Sequence, residues 1–103
     1  MKINLAGRLR EVDGTEVIVD SKPLTLADVF KTSVLTVVKE DEGESADQKL
    51  WKWNMANDIH KNKDGEIDIT PEDLVKLKER VLKVYPAPIV YGNVCNLTDP
   101  KEK

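Results

Sequence analysis

The hydrophobic positions of this chain change period several times, and each change marks an element. Near the N-terminus Ile3 and Leu5 alternate with Asn4, and Val17-Ile18-Val19 is β-branched throughout. Asp13-Gly14 between them is a hairpin turn signal, so residues 2–20 are expected to form a β-hairpin that ends at Ser21-Lys22-Pro23. The period then becomes helical. Leu26, Val29, Phe30, Val34, Val37 and Val38 place one apolar face on a helix expected over residues 25–37. Thr25 is its N-cap, with Asp28 at the capping-box position and Leu24 and Val29 at the staple positions. Ser33–Val38 is rich in β-branched residues, which leaves a strand open for that segment.

Lys39–Asp47 breaks the pattern with five carboxylates and one Lys, and reads as a flexible acidic loop. Ser45 and Gln48 then form a capping box for a second helix. Leu50, Trp53, Ala56 and His60 recur along its expected inner face with Ile59 beside them, while Trp51 and Met55 fall about a third of a turn away. Trp51 is therefore a candidate protein-contact residue, because exposed Trp is enriched at interfaces. Packing of Trp51 under the hairpin or the acidic loop is the structural alternative.

The best-marked stretch is Asp64–Tyr85. Asp64-Gly65 is a turn, and Ile67 and Ile69 alternate with Asp68 as in a short strand. Thr70 offers an N-cap, Pro71 suits the first helical position, and Glu72 and Asp73 complement the helix dipole. Ile69 and Leu74 stand at staple positions, and Leu77, Val81 and Val84 continue the apolar face. Pro86-Ala87-Pro88 stops this helix and begins a fourth over about 88–97, in which Gly92 is costly unless something packs closely against it. Asp99–Lys103 is expected to be a frayed tail.

The whole reads as one α+β domain over residues 1–98. An N-terminal β-hairpin, joined by a third short strand at 66–69, packs against three to four helices. The length of 103 residues, with 40% hydrophobic and 34% charged residues, suits one folded domain. A net charge of −3 disfavours nucleic acid as the main partner. The two basic faces available to it are Lys49, Lys52, Lys61 and Lys63 on the second helix, and Lys76, Arg80 and Lys83 on the third. Cys95 is the one cysteine, so no intrachain disulfide forms and a reducing cytoplasm is the expected home. The N-terminal residues do not read as a signal peptide, no run is long enough to span a membrane, and no membrane partner is expected.

Candidate chemistry is sparse. The words KNKDGEID resemble part of an EF-hand loop, with Asn62, Asp64 and Asp68 as oxygen ligands around Gly65. The first ligand position falls on His60 and the bidentate anchor on Pro71, so the segment is read as a polar turn with at most weak Ca²⁺ affinity. His60 and Cys95 could form a thiol–imidazole pair. Cys95 lies beside Val94 and Leu97, however, and behaves more like a buried apolar residue. No phosphate loop, HExxH or nucleophile elbow occurs, and neither a catalytic set, a cofactor nor a metal is expected.

The order of elements, and above all DGEIDIT followed by a helix and PIVYG, resembles a family of small uncharacterised bacteriophage and prophage proteins. That resemblance implies expression in a bacterial host and a part in phage assembly or phage–host interaction, in the virion or outside it. The leading expectation is a non-enzymatic protein-interaction module that binds a protein partner or itself. A divalent-cation-responsive protein using residues 60–68 and a small nucleic-acid-binding protein are the alternatives.

Overall fold

The computed structural model describes residues 1–98, and the expected frayed tail lies outside them. The chain is α+β: four helices with two small antiparallel pairs of short strands. The elements in order are β1 (Lys2–Asn4), β2 (Ile18–Val19), β3 (Lys22–Pro23), α1 (Leu26–Leu35), α2 (Ala46–Lys61), β4 (Glu66–Asp68), α3 (Pro71–Val84) and α4 (Pro88–Thr98). A 3₁₀ turn, Lys39–Asp41, sits between α1 and α2.

The local start signals act as their chemistry requires. Thr25 and Asp28 close a capping box on α1, and Ser45 and Gln48 close one on α2. The Thr70 hydroxyl accepts the Asp73 N–H at 3.1 Å, with Pro71 in the first turn of α3. Thr36 leaves the helix for extended backbone, so the β-branched run from Ser33 is helical to Leu35 and not a strand.

The strands pair differently from the expected 2–20 hairpin. β1 joins β4, with Ile3 opposite Ile67, and both isoleucines are buried on one face. The short alternation at residues 66–68 supplies a partner with a matching buried side chain, which residues 17–19 do not: Ile18 and Val19 are exposed. Those two residues fold back instead on Lys22-Pro23. Asp20 and Ser21 take φ of 51° and 66°, the double positive φ of a type I′ hairpin turn. Asp13-Gly14 does form a turn, closed by an Arg10–Glu16 bridge.

Three segments of this N-terminal lobe meet in a closed ring of backbone hydrogen bonds. The N–H of Leu9 donates to Leu24 O (2.9 Å), that of Leu24 to Val17 O (2.8 Å), and that of Val17 to Leu9 O (3.0 Å). The ring satisfies backbone groups where the ladders are too short to do so. The chain next to β1 docks on the start of α1, through Ala27 N–H to Leu5 O (3.0 Å) and Leu26 N–H to Gly7 O (2.8 Å).

α1 lies between α2 and α3. Its Leu26, Val29, Phe30 and Val34 meet Leu5, Leu9, Ile59, Leu77 and Val81 in the core. α4 closes the side formed by β1 and α3 through Val90 and Val94. Asn93 ties it to the lobe: its Oδ1 accepts the Arg10 N–H at 2.9 Å, and its Nδ2 donates to Arg10 O at 2.9 Å.

The inner face of α2 is turned part-way round from the one expected. Ala56 and Ile59 are buried as expected, but Met55 joins them, and Leu50, Trp53 and His60 face outward. The inner stripe begins with half-buried Lys52, whose charge is satisfied by Asp41 and Glu44. A lysine inside an ion-pair network masks the apolar period of the helix.

Candidate functional site

Two concave regions flank α2. The first, of about 530 Å³, lies between the acidic loop, the N-terminal half of α2, and α3. At its floor Arg80 of α3 meets Asp41 of the loop. The guanidinium donates through Nη1 to Oδ1 (2.5 Å) and through Nη2 to Oδ2 (3.0 Å). Its Nε donates to Ser33 O (3.1 Å) and its Nη2 to Thr36 O (2.7 Å), so one side chain caps the C-terminal end of α1. Val38 N–H adds a donor to Asp41 Oδ2 at 2.9 Å. The Asp41 carboxyl is held well below the usual carboxylate range, chiefly by its hydrogen bond to Arg80; burial opposes the shift, while Val38 N–H and Lys52 add to it.

Two expectations are corrected here. Arg80 is buried and cannot belong to a solvent-facing basic face of α3. Residues 39–47 are not simply a flexible solvated loop, because Asp41 is buried in an ion pair and anchors them.

Trp51 lines the same groove, half-buried. Its Nε1–H donates to Asp73 Oδ1 at 3.1 Å, and Lys76 Nζ stands 5.1 Å from the ring centroid. The residue singled out as a contact candidate is thus engaged on α3, and the indole left in solvent is Trp53.

The second region is a cleft of about 600 Å³ running along α1 and α2. Its apolar end holds Leu35, Trp53 and Ala56. Its polar end holds Asp28 and Lys31, with Lys31 Nζ 3.4 Å from His60 Nδ1. Trp53 is 59% exposed, Leu50 56%, Leu35 51% and Val37 83%. Leu50 and Trp53 are three residues apart on one side of α2, and Leu35 of α1 lines the cleft with Trp53. An apolar surface built around an exposed indole is what contact sites on folded proteins look like. The sequence concealed it because α2 carries two tryptophans two residues apart and the masked lysine stripe suggested the wrong one.

The side chains proposed as oxygen ligands are engaged elsewhere or stand in solvent. The Asn62 side-chain amide donates to Asp58 O at 2.8 Å, and the Asn62 carbonyl accepts the Gly65 N–H at 2.9 Å in an ordinary turn. Asp68 Oδ1 lies 3.1 Å from the Met1 ammonium. Asp64 is exposed in the same turn. Among the described residues no three or more His, Cys, Asp or Glu side chains are placed to hold a metal ion. Cys95 is a half-buried free thiol on α4. Among the described residues no helix is long and apolar enough to cross a membrane.

Compared with known proteins, the chain matches no protein-family model, no curated protein and no solved structure. Its surface chemistry is what a functional reading can rest on.

Proposed function

We propose that this protein is a non-enzymatic protein-interaction module whose contact surface is the outer face of α2, centred on Trp53 and Leu50 and extended by Leu35 at the end of α1. The observation that carries the reading is an indole 59% exposed beside a leucine 56% exposed on one helix side. Leaving such groups in water forgoes about 1.5–3 kcal/mol for each large apolar side chain that burial would return. A protein partner recovers that free energy; the fold does not.

Phage or prophage origin, work in the cytoplasm of a bacterial host, and a role in assembly or host interaction complete the proposal. They rest on the resemblance carried by DGEIDIT and PIVYG.

The experiment is the double variant Leu50→Glu/Trp53→Glu, followed by thermal unfolding. If the stripe serves contact and not folding, Tm stays within a few degrees of the parent chain. A collapse in Tm would mean that these side chains belong to the core, and would overturn the reading.

A further inference from the structure

We infer that the partner at this surface presents an acidic segment, received by the cleft between α1 and α2: an apolar side chain of the partner on Trp53 and Leu35, and a carboxylate on Lys31 and His60. The inference rests on the outer side of α2 being a contact surface, and goes on to say what chemistry covers it.

The fold brings two basic side chains together in this cleft. Lys31 of α1 and His60 of α2 are 29 residues apart in sequence, yet Lys31 Nζ lies 3.4 Å from His60 Nδ1. An ammonium only donates, so Nδ1 accepts and the ring carries its proton on Nε2. The pair thus offers a cation and a further N–H donor, which are the groups a carboxylate takes. Among the described residues Lys31 has no ion-pair partner. One acid lines the same end, Asp28, and its Oδ2 accepts the Thr25 N–H at 3.3 Å and the Thr25 hydroxyl at 3.1 Å in the capping box of α1.

The apolar end has a cation too. Lys49 stands one turn before Trp53 on the same side of α2. The acids of α2 lie elsewhere: at 3.6 residues per turn Asp47 is about 120° and Asp58 about 140° round the helix from Trp53. Lys61, Lys63 and Asp64 do not line the cleft. Lys31 and Lys49 against Asp28 leave one net positive charge beside the exposed indole with His60 neutral, on a chain whose own net charge is −3. Such a strip is complementary to an acidic partner and repels a basic one.

The helix also sets a spacing. Trp53 and His60 are seven residues apart on α2, which is about 10 Å along its axis. An extended segment covers about that distance in three residues. The partner's carboxylate therefore stands three residues from its apolar side chain when it lies extended in the cleft.

The test is an NMR titration of the full chain, into the millimolar range, with two short end-blocked peptides. One is Leu-Ser-Ser-Glu and the other Leu-Ser-Ser-Lys, so they differ only in the charge of the last residue. The Glu peptide should move the Trp53 indole N–H and the backbone amides of Lys31 and His60, and the Lys peptide should leave them in place. Lys31→Gln should weaken the Glu peptide about two- to fivefold, as loss of one surface charge pair does. Lys83→Gln makes the same charge change in the other groove and should leave binding unaltered.

Equal shifts with both peptides would overturn the acidic partner and leave the contact surface standing. So would equal binding of the Glu peptide by Lys31→Gln and the parent chain, or no shift at the Trp53 indole with either peptide. The Tm of Leu50→Glu/Trp53→Glu decides separately whether the contact-surface reading also falls.

Discussion

Arg80 and Asp41, 39 residues apart, form a buried two-pronged ion pair that locks the acidic loop, the end of α1 and the middle of α3 into one joint. Arg80 also donates to Ser33 O and Thr36 O, so the guanidinium leaves none of these acceptors unpaired. Arg80→Met removes the cation and strands a buried carboxylate and two carbonyls. A loss of about 3 kcal/mol is expected, the low end for breaking one side of a buried pair, since Lys52 still reaches Asp41. Arg80→Lys should recover little, because a point charge cannot serve three separate groups in a plane. Urea unfolding of both variants measures this, and equal stability of Arg80→Lys and the parent would refute the joint.

The same pair sets the acid behaviour. Asp41 binds its proton more weakly in the folded chain than in the unfolded one, with Arg80 as the first cause. The unfolded chain therefore takes up more protons below pH about 4, and stability falls as pH falls. The contribution is complete above that pH and is lost progressively as pH drops towards the depressed folded value. Tm measured from neutral to acid pH should decline less steeply in Asp41→Asn than in the parent chain, although the variant starts lower.

Asn93 mimics a strand partner for Arg10, accepting its N–H and donating to its carbonyl. The same Nδ2 also donates to Ile89 O at 2.8 Å. Asn93→Asp keeps the acceptor and loses both donated bonds; Asn93→Leu loses all three. The expected costs are about 2 kcal/mol and about 3 kcal/mol respectively, at roughly 1 kcal/mol per hydrogen bond. Hydrogen exchange at the Arg10 amide should quicken strongly in Asn93→Leu and stay slow in Asn93→Asp.

Two glycines should respond to alanine differently. A Cβ at Gly92, exposed in the middle of α4, meets nothing within 4 Å, so Gly92→Ala should stabilise by about 0.5–1 kcal/mol through helix propensity alone. A Cβ at Gly7 would stand 3.1 Å from Leu97 Cδ2, so the end of that side chain must give way. Gly7→Ala should therefore gain less than Gly92→Ala. Chemical unfolding midpoints of the two variants, with Gly92→Ala the higher, check both.

What was legible in the sequence follows from range. Thr25 with Asp28, Ser45 with Gln48, and Thr70 with Pro71 act within one turn of chain, and each marks a helix start where the structure has one. The pairing of Ile3 with Ile67 depends on which of several short apolar segments comes to lie beside β1, and local alternation does not decide that. Asp41 and Arg80 look like any solvated acid and base until the fold brings them together. The site suffered from the same effect: Lys52 occupies an inward position on α2, so the apolar period pointed to Trp51 as the outward indole when Asp73 and Lys76 hold it and Trp53 stands free of the core.

The contact surface on α2 stands or falls with the Tm of Leu50→Glu/Trp53→Glu measured beside the parent chain. A Tm within a few degrees of the parent is expected, because both side chains stand in water. A collapse in Tm would show that they belong to the core and would contradict the contact surface.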